Sequence, residues 1–122
     1  MSLHSSGEMY LETIYLLTSQ SDSVRALDIA EYMGFSKPSV SRALKLLIND
    51  GYIVIDKNGY ITLSDAGKNV AGKIFERHTL LTKALMMLGV DAETAAEDAC
   101  RIEHHISDES VAAIKKYLDS LN

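Results

Sequence analysis

The stretch Ser36-Lys37-Pro38-Ser39-Val40-Ser41-Arg42-Ala43-Leu44-Lys45-Leu46-Leu47-Ile48 decides the fold. Ser36 is a good N-cap, because its hydroxyl accepts an amide left open at a helix start. Pro38 falls in the first turn, where its missing N–H costs little. Val40, Leu44, Leu47 and Ile48 recur at helical spacing and supply a buried stripe. Upstream, residues 26–33 read as a shorter helix with Leu27, Ile29, Ala30 and Met33 on its apolar face. Gly34 follows; it takes a left-handed backbone at little cost, so it closes that helix and turns the chain. Downstream, the helix stops near Asn49-Asp50-Gly51 and the pattern becomes extended. Residues 52–55 and 60–63 are short β-prone runs separated by Asp56-Lys57-Asn58-Gly59, whose Asn-Gly pair is a strong hairpin signal. Helix, tight turn, helix and hairpin, in that order, predict a winged helix-turn-helix.

Outward from this core, Ser5 and Glu8 have capping-box spacing and introduce a helix over about 6–19, with Leu11, Ile14, Tyr15 and Leu17 near helical register. Ser64 caps a long helix over about 65–88. Gly67 and Gly72 lower its intrinsic propensity, so tertiary packing must support it. Gly89 ends it, Asp91 caps a helix over about 92–106, and Ser107 begins a last one reaching Tyr117 or Leu118. The expected fold is mainly α with a small β-hairpin. A winged helix-turn-helix occupies residues 1–73 and a helical domain residues 74–122.

With 12 Lys+Arg against 17 Asp+Glu, the 122-residue chain carries a formal charge of -5. An acidic balance argues against nucleic-acid binding, but the charge is uneven. Residues 36–73 hold six basic and three acidic side chains, a local +3 that leaves -8 elsewhere. Local charge governs contact with phosphates. The single cysteine, Cys100, excludes an internal disulfide. No apolar run approaches the roughly 20 residues of a membrane span. The N-terminus lacks the basic start and apolar core of a signal peptide, so a cytoplasmic location is expected.

The predicted second helix of the pair carries hydroxyls and cations at its start. Such a helix enters the major groove N-terminus first. Ser36, Lys37, Pro38, Ser39, Ser41, Arg42 and Lys45 are the candidate DNA-facing residues, with Lys57 at the wing tip. Serine hydroxyls and first-turn amides donate to phosphates. Arg42 has the reach for guanine O6 and N7 or for a phosphate. Lys37 and Lys45 read as backbone clamps. Taken singly, each residue is also an ordinary cap or solvated face; the ordered combination carries the argument.

The second half is dense in potential metal ligands. Cys100, Glu103 and His104 stand at i, i+3 and i+4, one face of a helix. Met9 and Glu12 form an i, i+3 pair on the first helix, and His78 lies on the fourth. Alone, Met9 and Cys100 are more often core residues, and Glu12 a surface carboxylate.

At this point the sequence resembles the diphtheria toxin repressor and manganese transport regulator family. The matching segments are Glu8-Met9-Tyr10-Leu11-Glu12-Thr13-Ile14-Tyr15, Val40-Ser41-Arg42, Arg77-His78-Thr79-Leu80-Leu81, and Ala99-Cys100-Arg101-Ile102-Glu103-His104-His105-Ile106-Ser107-Asp108-Glu109. The resemblance implies a homodimeric, metal-activated repressor of palindromic operator DNA controlling metal uptake, with residues 74–122 as the metal-binding and dimerisation domain. Apolar positions in residues 90–121 help form the dimer core. Some members add a C-terminal SH3-like domain; the chain resembles the shorter manganese-regulator architecture. Met9, Cys100, Glu103 and His104 match the activating site of the iron-type branch, whereas Glu12 and His78 match ligands of the manganese-type branch. That branch has carboxylates where this chain has Met9 and Cys100, so the two-manganese arrangement loses a bridge. Thr82 and Ala96 stand where an iron-type ancillary site needs an acid and a histidine.

Thiolate and thioether are softer than the oxygen donors preferred by manganese. The expected metal is therefore Fe2+, with Mn2+ as the rival and Co2+, Ni2+ or Zn2+ able to bind in vitro. A metal-dependent hydrolase using Glu12 or Glu103 as base, and a regulator sensing oxidation at Cys100, are the competing functions. Nothing in the sequence supplies an oxyanion site or substrate pocket, and the expectation is a protein that is not an enzyme.

Overall fold

The elements run α1 (Ser5–Gln20), α2 (Ala26–Met33), α3 (Lys37–Asn49), β1 (Ile53–Ile55), β2 (Ile61–Leu63), α4 (Asp65–Met87), α5 (Ala92–Ile102) and α6 (Asp108–Ser120). This computed structural model describes residues 5–121. The side chain of Ser5, the expected cap of α1, lies outside the described residues. Among the described residues the architecture is the expected mainly helical one with a small hairpin. Two compact units divide it, the first ending at Gly72 and the second beginning at Lys73. Among the described residues, no helix is long and apolar enough to cross a membrane.

The first unit is built around Leu11 and Ile14 of α1, Ile29 of α2, Val40, Leu44 and Leu47 of α3, and Ile53 and Ile61 of the hairpin, all buried. Each side chain of this size contributes about 1.5–3 kcal/mol when fully buried. Ser36 caps α3 as its sequence implies, its Oγ accepting the Ser39 amide at 3.3 Å. Gly34, at φ 72°, closes α2 and donates its N–H to Ala30 O at 2.9 Å. Two apolar residues depart from expectation: Ile48 is 41% and Leu27 48% exposed. Ile48 stands about 100° round α3 from Leu47, past the edge of the buried stripe.

The hairpin is antiparallel, with Ile53 opposite Leu63, Val54 opposite Thr62 and Ile55 opposite Ile61. Ile53, Ile61 and Leu63 face the core, while Val54 and Thr62 face solvent. Its turn is longer than the two-residue loop that Asn-Gly favours. Asp56 N donates to Tyr60 O, and the Asp56 carboxylate accepts the amides of Asn58 and Tyr60 at 2.8 and 3.0 Å. Gly59, at φ 82°, takes the left-handed position that such a longer turn needs. Ile61 N also donates to Val24 O at 2.8 Å, fastening the wing to the segment before α2.

Ser64 caps α4, its Oγ accepting Gly67 N at 3.1 Å and donating to Gly51 O at 2.5 Å. Gly67 answers the expectation that packing supports a glycine here: a Cβ at this position would collide with the Tyr52 carbonyl. Gly72 meets open space.

In the second unit, Ile74, Leu81, Ala95, Ala99 and Leu118 are buried. Asp91 caps α5 by accepting Thr94 N at 3.1 Å, and that bond holds its carboxyl below the usual range. Helix α5 ends at Ile102, short of the expected 106, and residues 103–105 form a turn. Two carbonyls near this end are taken by Arg77 of α4, which donates to Glu103 O at 3.2 Å and Ile106 O at 3.0 Å. Ser107 then caps α6 by accepting Ser110 N at 3.1 Å, and α6 continues to Ser120.

The two glycines of α4 should respond in opposite directions. Gly72→Ala is expected to stabilise by about 0.5–1 kcal/mol through helix propensity. Gly67→Ala should destabilise by about 1–3 kcal/mol because the Tyr52 backbone must yield. Urea unfolding of both variants checks this, and equal stabilisation would refute the close approach of α4 to Tyr52.

Candidate metal centre and nucleic-acid interface

Helix α3 buries Val40, Leu44 and Leu47, and this turns its polar side outward. Ser36, Lys37, Pro38, Ser41, Arg42 and Lys45 are exposed and Ser39 is half-buried. The first turn is internally ordered: Ser36 Oγ donates to Ser39 Oγ at 2.9 Å, and Arg42 Nη2 to Ser39 Oγ at 3.4 Å. Lys57 is exposed in the hairpin turn. A groove of about 340 Å³ is lined by Arg25, Leu27, Lys37, Ser41 and Gly59 among others, so the starts of α2 and α3 and the hairpin share one concavity.

Arg25 is a cation of this face that sequence reasoning missed. Its guanidinium carbon lies 4.8 Å from the Tyr60 ring centroid, which orients the head by a cation–π contact. The residue precedes α2 by one position. Its aromatic seat, Tyr60, lies just before β2, and no sequence spacing announces that pairing.

The second unit gathers His78, Cys100 and Glu103, with one ligand atom from each lying within 4.8 Å of the others. His78 projects from the middle of α4 and Cys100 from the last turn of α5. Glu103 and His104 sit in the turn beyond α5, so the expected single helical face is corrected to a helix end plus a turn. The Glu103 carboxylate has no solvent exposure. Its Oε2 lies 2.9 Å from His78 Nδ1 and its Oε1 3.3 Å from His104 Nε2. The His104 side chain is only 4% exposed, that of His78 27%, while Cys100 is exposed. His105, adjacent in sequence, is exposed, and its amide donates to Ile102 O.

A buried ionised carboxylate is costly unless positive charge or donors compensate it. Two imidazoles flanking one carboxylate, with a thiol within reach, form a nitrogen, oxygen and sulfur donor set that fits a divalent transition metal. Met9 and Glu12 lie one turn apart on α1 in the first unit, with Met9 38% exposed and its carbonyl accepting the Thr13 hydroxyl at 3.0 Å.

Arg77 is the other residue that sequence reasoning left without a role. Besides the two carbonyls of the turn, its Nη2 donates to the Asp108 carboxylate, which also pairs with Lys73 at 3.1 Å. Lys73 and then Arg77 hold that carboxyl below the usual range. Basic residues near a helix C-terminus are a known capping signal, but this one comes from another helix and is invisible to local reading.

Two family models cover nearly the whole chain. Residues 2–61 match the iron dependent repressor N-terminal DNA binding domain, and residues 64–122 the iron dependent repressor metal binding and dimerisation domain. The HTH-type transcriptional regulator MntR of Lysinibacillus sphaericus (strain C3-41) is 38% identical over 109 residues, 89% of this chain and 78% of that protein. Among solved structures, the manganese regulator SloR is 31% identical with a TM-score of 0.83, over 98% of this chain and 55% of that one. The metal-dependent transcriptional regulator MtsR is 32% identical with a TM-score of 0.86, over 93% and 53%. The chain thus spans about half the length of these solved structures. With both halves matched in order, and His78 and Cys100 gathered around the buried Glu103 carboxylate in the segment described as metal-binding, the chain belongs to the family of iron-dependent repressors, metal-dependent transcriptional regulators that bind DNA and are not enzymes.

Proposed function

We propose that this protein is a manganese(II)-responsive repressor that binds palindromic operator DNA as a homodimer in the cytoplasm and controls metal uptake. The observation that carries the metal half of this reading is the solvent-free Glu103 carboxylate between His78 and His104. Glu103, His78 and His104 offer the oxygen and nitrogen donors that suit manganese. The likeness to SloR, named a manganese regulator, and to MntR shifts the preference away from iron. Iron(II) is the second reading, favoured by the softer sulfur of Cys100 and, through the family resemblance, of Met9. In this proposal Met9 and Glu12 are further ligands, an assignment resting on their sequence positions. Cobalt, nickel and zinc are expected to bind the same donors in vitro.

The DNA half of the proposal assigns Arg42 to base edges or phosphates, Lys37, Lys45 and Lys57 to the backbone, and the first turn of α3, Ser36 to Ser41, to phosphates. It places the DNA-binding domain at residues 1–73 and the metal-binding and dimerisation domain at residues 74–122. Exposed apolar side chains on the second unit, among them Met87, Leu88, Tyr117 and Leu121, are the candidate self-association surface. A groove of about 380 Å³ lies among these residues. Metal raises DNA affinity only as far as it binds the DNA-competent form more tightly. A tenfold response needs about 1.4 kcal/mol of coupling.

Operator affinity measured with chelator, with Mn(II), and anaerobically with Fe(II) should be at least tenfold tighter with Mn(II) than with chelator. Equal affinity in all three sinks the regulatory reading, and a response to Fe(II) alone selects the second one. Glu103→Gln should lower metal affinity by about 10–100-fold, measured by calorimetry. Its apo form should still unfold cooperatively, with a thermal midpoint at or below that of wild type, because Gln keeps an acceptor for His78 but removes the charge that the imidazoles compensate. Lys57→Ala should weaken binding to all DNA sequences alike and reduce the slope of affinity against salt by about one ion; an unchanged slope removes Lys57 from the interface.

A further inference from the structure

We infer that Arg77 is a positioning residue that sets the affinity of the metal centre without being one of its ligands. The inference rests on the metal reading above. Glu103 and His104 occupy a turn between α5 and α6, not a regular helix. The amides of Glu103, His105 and Ile106 tie the turn back to Ala99 O and Ile102 O, while the carbonyls of Glu103 and Ile106 are taken by a side chain from another helix. Arg77 is the side chain that spans this connection. Nη1 donates to Glu103 O at one end and to Ile106 O at the other, and Nη2 donates to Asp108 in the first turn of α6. One planar guanidinium therefore clamps both ends of the segment that carries two of the candidate ligands. The same α4 backbone presents His78, the next residue, to the Glu103 carboxylate at 2.9 Å.

The chemistry requires arginine. Two carbonyls and a carboxylate in different directions need a rigid fork of donors, whereas a lysine ammonium is a point charge on a flexible stem. The head is largely withdrawn from solvent, with the side chain 14% exposed, so its bonds compete little with water. Lys73, by contrast, is exposed and reaches only the Asp108 carboxylate, at 3.1 Å, so it supports this one anchor and not the two carbonyl bonds. Partners that orient metal ligands typically change affinity 10–100-fold when lost.

The test uses the full chain and Mn(II) as probe, followed by loss of the free-ion paramagnetic resonance signal, with the thermal midpoint read with and without metal. Arg77→Lys should unfold cooperatively, bind Mn(II) about 10–100-fold more weakly, and show a smaller metal-induced rise in midpoint than wild type. Wild-type affinity in Arg77→Lys overturns the inference, whatever happens to apo stability, because a purely structural role lowers both midpoints without changing affinity. Should Arg77→Lys fail to fold, Asp108→Ala leaves the two carbonyl bonds in place and removes one anchor. About threefold weaker Mn(II) binding is then expected, as for loss of an exposed ion pair, and unchanged affinity overturns the inference. A wild-type protein that binds no Mn(II) overturns the metal reading itself and this inference with it, a result distinct from equal binding by wild type and variant.

Discussion

Burial of the Glu103 carboxylate is the constraint on which the second unit depends. An ionised carboxylate removed from water demands positive charge or directed donors close by. His78 answers from α4 and His104 from the adjoining position. Meeting that demand brings His78 of α4 and the turn that follows α5 to one point. The same donors that satisfy the carboxylate are those a divalent cation uses. A site that binds metal and a core that needs charge compensation are here one structure.

The first unit obeys a different constraint, exclusion of an apolar stripe from water. Val40, Leu44 and Leu47 turn α3 so that Lys37, Ser41, Arg42 and Lys45 are held outward. The wing is set against this helix pair by the Val24–Ile61 backbone bond and by the missing Cβ of Gly67, which lets α4 approach Tyr52. An acidic chain can thus present a basic helix face, because Lys37, Arg42 and Lys45 project outward from α3 while its net negative charge is carried elsewhere.

Much of this was legible beforehand because it is local. Ser36, Ser64, Asp91 and Ser107 accept amides three residues on, Gly34 donates its own amide to the carbonyl four residues back, and each end that they mark is where the structure has it. The errors were at places where a distant partner intervenes. Helix α5 continues to 106 on its own pattern, but Arg77 claims the carbonyls of Glu103 and Ile106. Ile48 looks apolar enough to bury, but α3 has already met its neighbours along the Val40, Leu44 and Leu47 stripe. The donor types were readable from spacing; the soft character of Cys100 and Met9 then pointed to iron, while the likeness to a manganese regulator favours the harder metal.

The sequence alone determined the order of elements, the caps that bound them, the side of α3 that carries cations, and the list of side chains with metal-binding chemistry. These follow from periodicity and from hydrogen bonds within a single turn. Tertiary structure alone decided that His78 reaches the Glu103 carboxylate, that Arg25 rests on Tyr60, and that Arg77 spans the turn to Asp108. Those contacts join residues far apart in the chain, and their geometry is set by how helices pack, a property that no local pattern encodes.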